Sequence, residues 1–290
     1  MIVLIGATTF LGPEVLTKLL ESGYKVKCFV RPGSTTDKLK EIQKDIDITP
    51  GNLNSSDSIF SSIKEAEAVV YLPDLKNTYY VKNLLGAAKR ARLDRLIFIS
   101  STTVLGPQET EEKAAKIKSE NLIEKSDLDF TILRPTMIYG VPDDTNFSKM
   151  LAFIKKNNYF YVFGSGENLI QPVYIEDVAK AVASIVKNKK TFSRTYELPG
   201  KEPLSYNRML DIVKEKTGIN FKVRKMPMGL SKFFVNIYSK LSPKPRLNTG
   251  QIERLKYDKT YPYDDARKDF GYSPIGFEQG IEYLIKKLNL

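Results

Sequence analysis

An α/β fold, a doubly wound parallel sheet followed by a small C-terminal α+β lobe, is predicted by three observations. Short apolar runs alternate with amphipathic stretches from Ile2 to Leu133. The first run passes straight into a glycine-bounded turn, Gly6-Ala7-Thr8-Thr9-Phe10-Leu11-Gly12. Beyond Gly140 the alternation gives way to shorter mixed elements. Together these place a Rossmann-type domain at 1–140 and a substrate lobe, interleaved with the last strands of the sheet, at 141–290.

Ile2 to Ile5 reads as a buried strand. Leu11, Val15 and Leu19 share one face of a helix that runs to Ser22 and is stopped by Gly23, and Lys25 to Val30 reads as the next strand. Gly6 and Gly12 therefore sit where a mononucleotide-binding unit turns from strand to helix. Gly6 lets the backbone bend sharply, and Gly12 lets the helix lie close on the sheet. The first amides of the helix, around Thr8, Thr9, Phe10 and Leu11, then face a pyrophosphate. Thr9 stands where a middle glycine is usual, so its side chain is expected to crowd that approach. Arg31 follows the second strand, nineteen positions after Gly12. A ribose-reading residue belongs near this offset. An acid there would accept from a 2′-hydroxyl, whereas arginine offers a planar fork to a 2′-phosphate, which favours NADP and leaves NAD as the alternative. The other reading of Arg31 is a solvated residue at a strand end.

The pattern continues with a strand at Ile46 to Thr49, a helix opened by Asp57, a strand at Ala68 to Leu72, and a helix capped by Asn77 that runs to Ala91. Strands follow at Arg95 to Ser100 and at Phe130 to Leu133. Ligands of such sheets sit beyond the carboxyl ends of the strands. Asn52 and Leu53, Leu72 and Pro73, and Ser100 and Ser101 occupy those ends. Farther on, helices are expected at Phe147 to Lys156, from Asp177, and at Ser205 to Thr217, with strands near Tyr159 to Val162, Thr195 to Leu198 and Phe221 to Lys225. Met228 to Leu241 carries an apolar stripe flanked by Lys232 and Lys240. It reads as lobe packing, a lid, or a surface-lying amphipathic segment.

Composition removes several chemistries. The 290 residues contain no histidine and one cysteine, Cys28. Histidine-based triads, histidine-ligated metals and an internal disulfide are therefore excluded, and no metal site is expected. Acid–base work falls to Tyr, Lys, Asp or Glu. The net charge of +11 comes without a compact basic run interleaved with aromatics, so a solvated basic face is expected rather than nucleic-acid binding. No apolar run is long enough to span a membrane, and the chain begins directly with a core strand. A cytoplasmic location follows as the default.

Five segments in register resemble the short-chain dehydrogenase/reductase superfamily, in its extended and atypical members, including the NAD-dependent epimerase/dehydratase and NmrA-like groups. They are Gly6 to Gly12, Ser100-Ser101-Thr102-Thr103-Val104-Leu105-Gly106, Leu133-Arg134-Pro135-Thr136-Met137-Ile138-Tyr139-Gly140, Pro172 to Ala179, and Asp265 to Pro274. The resemblance implies that Ser101 orients a substrate oxygen and that Lys116 holds the nicotinamide ribose. It implies that Pro135, Thr136 and Met137 lie against the nicotinamide. It also implies pairing of two copies through the helices at 77–91 and 111–126. The chain departs from the family at Glu112, which stands where the proton-transferring tyrosine belongs. Glu112 and Lys116 are four apart and pair on one helix face. Replacement proton sources are water, Tyr139 or Glu112. Tyr139 has packing as its other reading, and Glu112 would need burial to raise its pKa.

The expected function is NADP-dependent oxidoreduction of a small carbonyl or alcohol. Two alternatives stay open: a catalytically silent dinucleotide-binding sensor or structural subunit, of the NmrA-like or complex I accessory kind, and a nucleotide-sugar epimerase or dehydratase.

Overall fold

A computed structural model describes residues 1–93, 95–230, 235 and 253–290. The first half of the chain alternates strictly: β1 (Ile2–Ile5), α1 (Gly12–Glu21), β2 (Val26–Val30), α2 (Asp37–Ile42), β3 (Asp47–Pro50), α3 (Ser56–Ile63), β4 (Ala68–Tyr71), α4 (Thr78–Ala91), β5 (Leu96–Ile99), α5 (Glu111–Glu124) and β6 (Phe130–Pro135). Then come β7 (Ile138–Tyr139), α6 (Phe147–Asn157), β8 (Tyr159–Phe163), β9 (Leu169–Ile170), β10 (Val173–Tyr174), α7 (Ile175–Ile185) and β11 (Arg194–Leu198). The chain closes with β12 (Leu204–Ser205), α8 (Tyr206–Thr217), β13 (Lys222–Met226), α9 (Asp264–Phe270) and α10 (Phe277–Lys287).

These elements form two units, each assembled from three segments of chain. The first unit comprises Met1–Thr136, Ile175–Leu198 and Pro262–Pro274. Its seven strands lie in the order β11-β6-β5-β4-β1-β2-β3, and every pair is parallel. Strand order reverses between β1 and β4, the switch point of a doubly wound sheet. Period-two alternation sends Val3, Ile5, Val69, Tyr71 and Phe98 into one apolar core with Ile59, Leu84 and Ile123 of α3, α4 and α5. The opposite face receives α1 and α7, which pack together.

Helix ends follow local chemistry. Asn77 and Thr110 cap α4 and α5 by accepting from the Tyr80 and Lys113 amides at 3.4 and 3.1 Å. A buried arginine fastens the sheet to α7: Arg95 donates to the Val186 and Ile185 carbonyls at 3.1 and 2.6 Å, and to Thr131 and Thr191 hydroxyls at 2.9 and 3.1 Å. Its cation thus meets the negative end of α7. Burial nevertheless pulls its pKa down to about 10.

The second unit comprises Met137–Tyr174, Pro199–Tyr261 and Ile275–Leu290. Three two-stranded sheets, β10-β7, β12-β9 and β13-β8, surround α6, α8 and α10. Tyr139, Phe147, Leu151, Tyr174, Val213, Phe277 and Ile281 belong to its apolar core. Gly280 is required where α10 crosses Tyr139, because an added Cβ would lie 2.1 Å from the phenol oxygen.

Candidate functional site

Every strand of a parallel sheet presents its carboxyl end to the same edge, so the residues that follow β1 to β6 form one row. Gly6 follows β1 with φ +85°, and a Cβ on it would lie 2.9 Å from Pro73 Cδ. Only glycine fits there. Gly12 opens α1, and its Cβ would meet the Ala7 carbonyl oxygen at 2.0 Å. The helix therefore begins directly on the turn. Leu11, at the N-cap, gives no side-chain cap, and Pro13 in the first turn has no N–H. Uncapped amides beside the positive end of a helix are what a phosphate takes.

Thr9 behaves differently from the crowding expected of it. Its hydroxyl donates to the Gly6 carbonyl at 2.8 Å, and its amide donates to the same oxygen at 2.9 Å. The side chain is thereby turned onto the loop. Thr8 and Phe10 are exposed on either side of it.

Arg31 leaves the end of β2 exposed and makes no ion pair among the described residues. At the end of β3, Asn52 Oδ1 accepts from the Asn54 amide at 2.9 Å, and the Asn52 amide donates to Ser58 Oγ at 3.0 Å. Leu53 beside it is buried. Leu72 is buried and Pro73 half-buried after β4, so this wall of the row is apolar.

After β5 stand two serines of unlike character. Ser101 begins a 3₁₀ turn, Thr102–Leu105, and its Oγ accepts from the Thr103 amide at 3.2 Å. Ser100 is buried, and among the described residues neither its hydroxyl nor that of Tyr71 on β4 has a hydrogen-bond partner. Burial, with Tyr80 and Asp74 adding to it, pushes the Tyr71 phenol well above its ordinary value. Two orphaned hydroxyls at neighbouring strand ends are the mark of a place that receives polar atoms from outside the chain.

Lys116, on α5, has only 11% of its side chain exposed. Its ammonium lies 3.4 Å from Glu112 Oε1 and 3.4 Å from Asp74 Oδ1. The first contact is the expected four-residue pair. Asp74 was not singled out from the sequence. The signal was an acid directly after the Leu72-Pro73 strand end, where a basic residue of a later helix comes to rest. Asp74 Oδ1 also accepts from the Lys76 amide at 2.9 Å.

The position of α5 is fixed from beneath. Arg134 of β6 donates Nη2 to Glu120 Oε2 at 2.7 Å and Nε to Glu120 Oε1 at 3.2 Å, a bidentate pair, and Nη1 to Glu197 at 3.2 Å. Burial works against the Arg134 charge, and the two carboxylates outweigh it and raise its pKa. Ser119 Oγ donates to the Leu75 carbonyl at 2.5 Å, tying α5 to the loop that carries Asp74.

The two side chains weighed as proton sources lie in different surroundings. Tyr139 is 1% exposed, stacks edge-on against Phe147 and Tyr174, and donates to the Phe277 carbonyl at 3.4 Å. It is a core residue of the second unit, because the β7 register turns its ring inward. Glu112 has 54% of its side chain exposed, so the burial needed to make it a proton donor is absent. Pro135 and Thr136 end the first unit, with the Thr136 amide donating to Leu198 O at 3.2 Å, whereas Met137 packs on the core of the second. In the amphipathic stretch, Met228 to Leu230 and Val235 are described, and the rest of 228–241 lies outside the described residues. Among the described residues no cluster of metal ligands occurs, and no helix is long and apolar enough to cross a membrane.

Comparison with known proteins agrees with this geometry. The mitochondrial NADH dehydrogenase [ubiquinone] 1 alpha subcomplex subunit 9 of Arabidopsis thaliana is 25% identical over 287 residues, covering 91% of this chain and 71% of that protein. The 3 beta-hydroxysteroid dehydrogenase/Delta 5-->4-isomerase of Mycobacterium tuberculosis is 23% identical over 318 residues, covering 94% and 86%. Among solved structures, that of gox2253 superposes with a TM-score of 0.82 at 21% identity, covering 100% of this chain and 98% of that one. Residues 6–189, from the first glycine of the Gly6–Gly12 turn past α7, match the NAD(P)H-binding family. The chain belongs to that family, and its motifs resemble the short-chain dehydrogenase/reductase superfamily.

Proposed function

We propose that this protein is an NADP(H)-dependent oxidoreductase acting on a small carbonyl or alcohol. The observation that carries the reading is the state of Ser101. Its Oγ accepts from the Thr103 amide, which leaves the hydroxyl proton free to be given to a substrate oxygen at the carboxyl end of β5. Bound dinucleotide supplies or takes hydride at the nicotinamide C4. The chain's own residues do the rest: the Gly6–Gly12 turn holds the pyrophosphate, Arg31 takes the 2′-phosphate, Asn52 and Leu53 border the adenine, and Leu72, Pro73, Ser100, Pro135 and Thr136 line the nicotinamide end. Lys116 donates to the ribose hydroxyls, held meanwhile by Glu112 and Asp74. Water carries the proton, since Tyr139 is enclosed and Glu112 is a solvated ion-pair partner. Substrate recognition falls to the second unit.

Two copies pair through α4 and α5 in this reading. A cytoplasmic location belongs to it as well.

Calorimetric titration with NADPH, NADP, NADH and NAD tests it. Arg31→Ala is expected to weaken NADPH about 10- to 100-fold and leave NADH nearly unchanged, the worth of a charge-assisted fork. Ser101→Ala is expected to lower kcat roughly 100- to 1,000-fold with dinucleotide affinity intact. Unchanged turnover in that variant rejects the assignment. A second reading, a dinucleotide-binding subunit or sensor without turnover, is favoured by one observation: Lys116 already sits between two carboxylates, and glutamate replaces the tyrosine that usually shares its helix face. Tight binding with no turnover on any carbonyl would establish it.

A further inference from the structure

The parallel pair β8-β13 in the second unit has two unlike faces. Phe160, Val162 and Val223 pack on the apolar core. The register puts Tyr159 beside Lys222, Tyr161 beside Arg224 and Phe163 beside Met226 on the other face. There Tyr159, Tyr161 and Phe163 remain partly exposed, and Lys222 and Arg224 are exposed. Outward faces of small sheets are ordinarily polar and mixed in sign. This one is aromatic and cationic, and it carries no acid. The Arg224 guanidinium lies 4.8 Å from the Tyr159 ring centroid, and its Nη1 donates to the Tyr161 hydroxyl at 3.5 Å. Phe153 of α6 extends the patch. It is 39% exposed and meets the Tyr159 ring edge-on at 5.5 Å. Lys155 and Lys156 of the same helix are exposed, as is Leu230 just past β13.

Charge is divided between the units in the same sense. The segments of the second unit hold 19 Lys and Arg against 10 Asp and Glu, while those of the first hold 26 against 24. Nearly all of the molecule's excess charge therefore belongs to the second unit. In sequence, no Asp or Glu occurs between Glu215 and Glu253, while eight Lys and Arg do, and β13 lies inside that acid-free stretch.

We propose that the β8-β13 face seats the second unit on an anionic lipid bilayer, as an interfacial contact. Lys222 and Arg224 answer the negative surface potential of acidic headgroups. Tyr159 and Tyr161 have the apolar body and polar tip that settle at headgroup depth, and Phe153, edge-on to Tyr159, supplies an apolar ring beside them. Single-stranded nucleic acid fits less well. The Tyr159 and Tyr161 rings meet at 77°, and Arg224 already lies over one of them, so no parallel platform remains for successive bases.

The test is co-sedimentation of the full chain with vesicles of phosphatidylcholine alone and of phosphatidylcholine mixed with phosphatidylglycerol. Binding is expected only to the mixed vesicles, and it should fade as salt is raised. Lys222→Glu with Arg224→Glu should lower the bound fraction about tenfold or more, while dinucleotide affinity, which these positions do not touch, stays level and reports that the fold is intact. Should that variant misfold, the salt series on the unaltered chain and Tyr161→Ser remain as readouts. Failure to sediment with mixed vesicles, equal sedimentation with both kinds, or preference for a single-stranded oligonucleotide in competition with them would overturn the proposal. None of these outcomes depends on whether the protein transfers hydride.

Discussion

Burial pushes the Cys28 thiol up to about 12, with Asp47 adding to the effect. The thiolate is the reactive form, so native protein should be inert to a disulfide reagent at pH 8 and react only on unfolding. The sign for stability follows. A thiol whose folded pKa exceeds its unfolded value of about 9 contributes fully below that value and loses the contribution as pH rises from about 9 to 12. Thermal melts should be flat in this respect through neutral pH and decline above about 9, less so in Cys28→Ala. The same scale shows where sequence stops informing. Gly6 and Gly12 were legible because backbone sterics dictate them. Asp74 was not, since its partner Lys116 is 42 positions away and only the fold brings them to 3.4 Å. The direction of the Thr9 hydroxyl is not legible either, because it depends on which carbonyl it finds, and Gly6 O lies three residues back.

At the level of elements, α5 is the part on which the site depends most. It holds Lys116 near the strand ends while the bidentate Arg134–Glu120 pair anchors it to β6. Glu120 is 3% exposed, so Glu120→Ala would leave a half-buried guanidinium with Glu197 alone. We expect a loss of about 3 kcal/mol in chemical denaturation, at the low end for a broken buried pair because Glu197 remains. Dinucleotide affinity should fall as well, since α5 loses its seat. Glu120→Gln, which keeps the shape and one acceptor, should recover part of both. In the first half, α1, α3, α4 and the strands were readable because apolar runs and glycine or asparagine signals mark them, whereas the six-residue α2 carries too little periodicity to be read. The two-residue strands β7, β9 and β12 were not readable either, whereas β10 was legible as the Val173-Tyr174-Ile175 run. Their pairing is set by tertiary neighbours, and a pair of residues carries no periodicity.

For the molecule as a whole, ligand binding should stabilise one unit more than the other. The phosphate turn, Arg31, Ser101 and Lys116 all belong to the first unit. A dinucleotide at about 100 times its Kd adds roughly 2.7 kcal/mol to whatever unfolds with its site. Hydrogen exchange should therefore show added protection in β1, β2, β4 and β5 and little in β8 and β13. Equal protection throughout would mean that the two units unfold as one. The sequence changes pattern after Gly140, where βα alternation ends, while the first unit of the structure ends its opening segment at Thr136 and takes in Ile175–Leu198 and Pro262–Pro274 as well. The return of later segments to the sheet was fixed by β11, whose short strand pairs with β6 along its full length.

That return has a consequence for synthesis. When the ribosome has made the first 136 residues, six strands of the sheet exist, but β6 has an open edge until Arg194–Leu198 is translated. At ordinary elongation rates the wait is roughly 3–12 s. Asp269, which accepts from the Tyr196 hydroxyl at 2.7 Å and helps hold that last strand, emerges 73 residues later still. An unpaired strand edge is a template for pairing with another nascent chain. The β6 edge is thus the last edge of the sheet to receive its neighbour during synthesis.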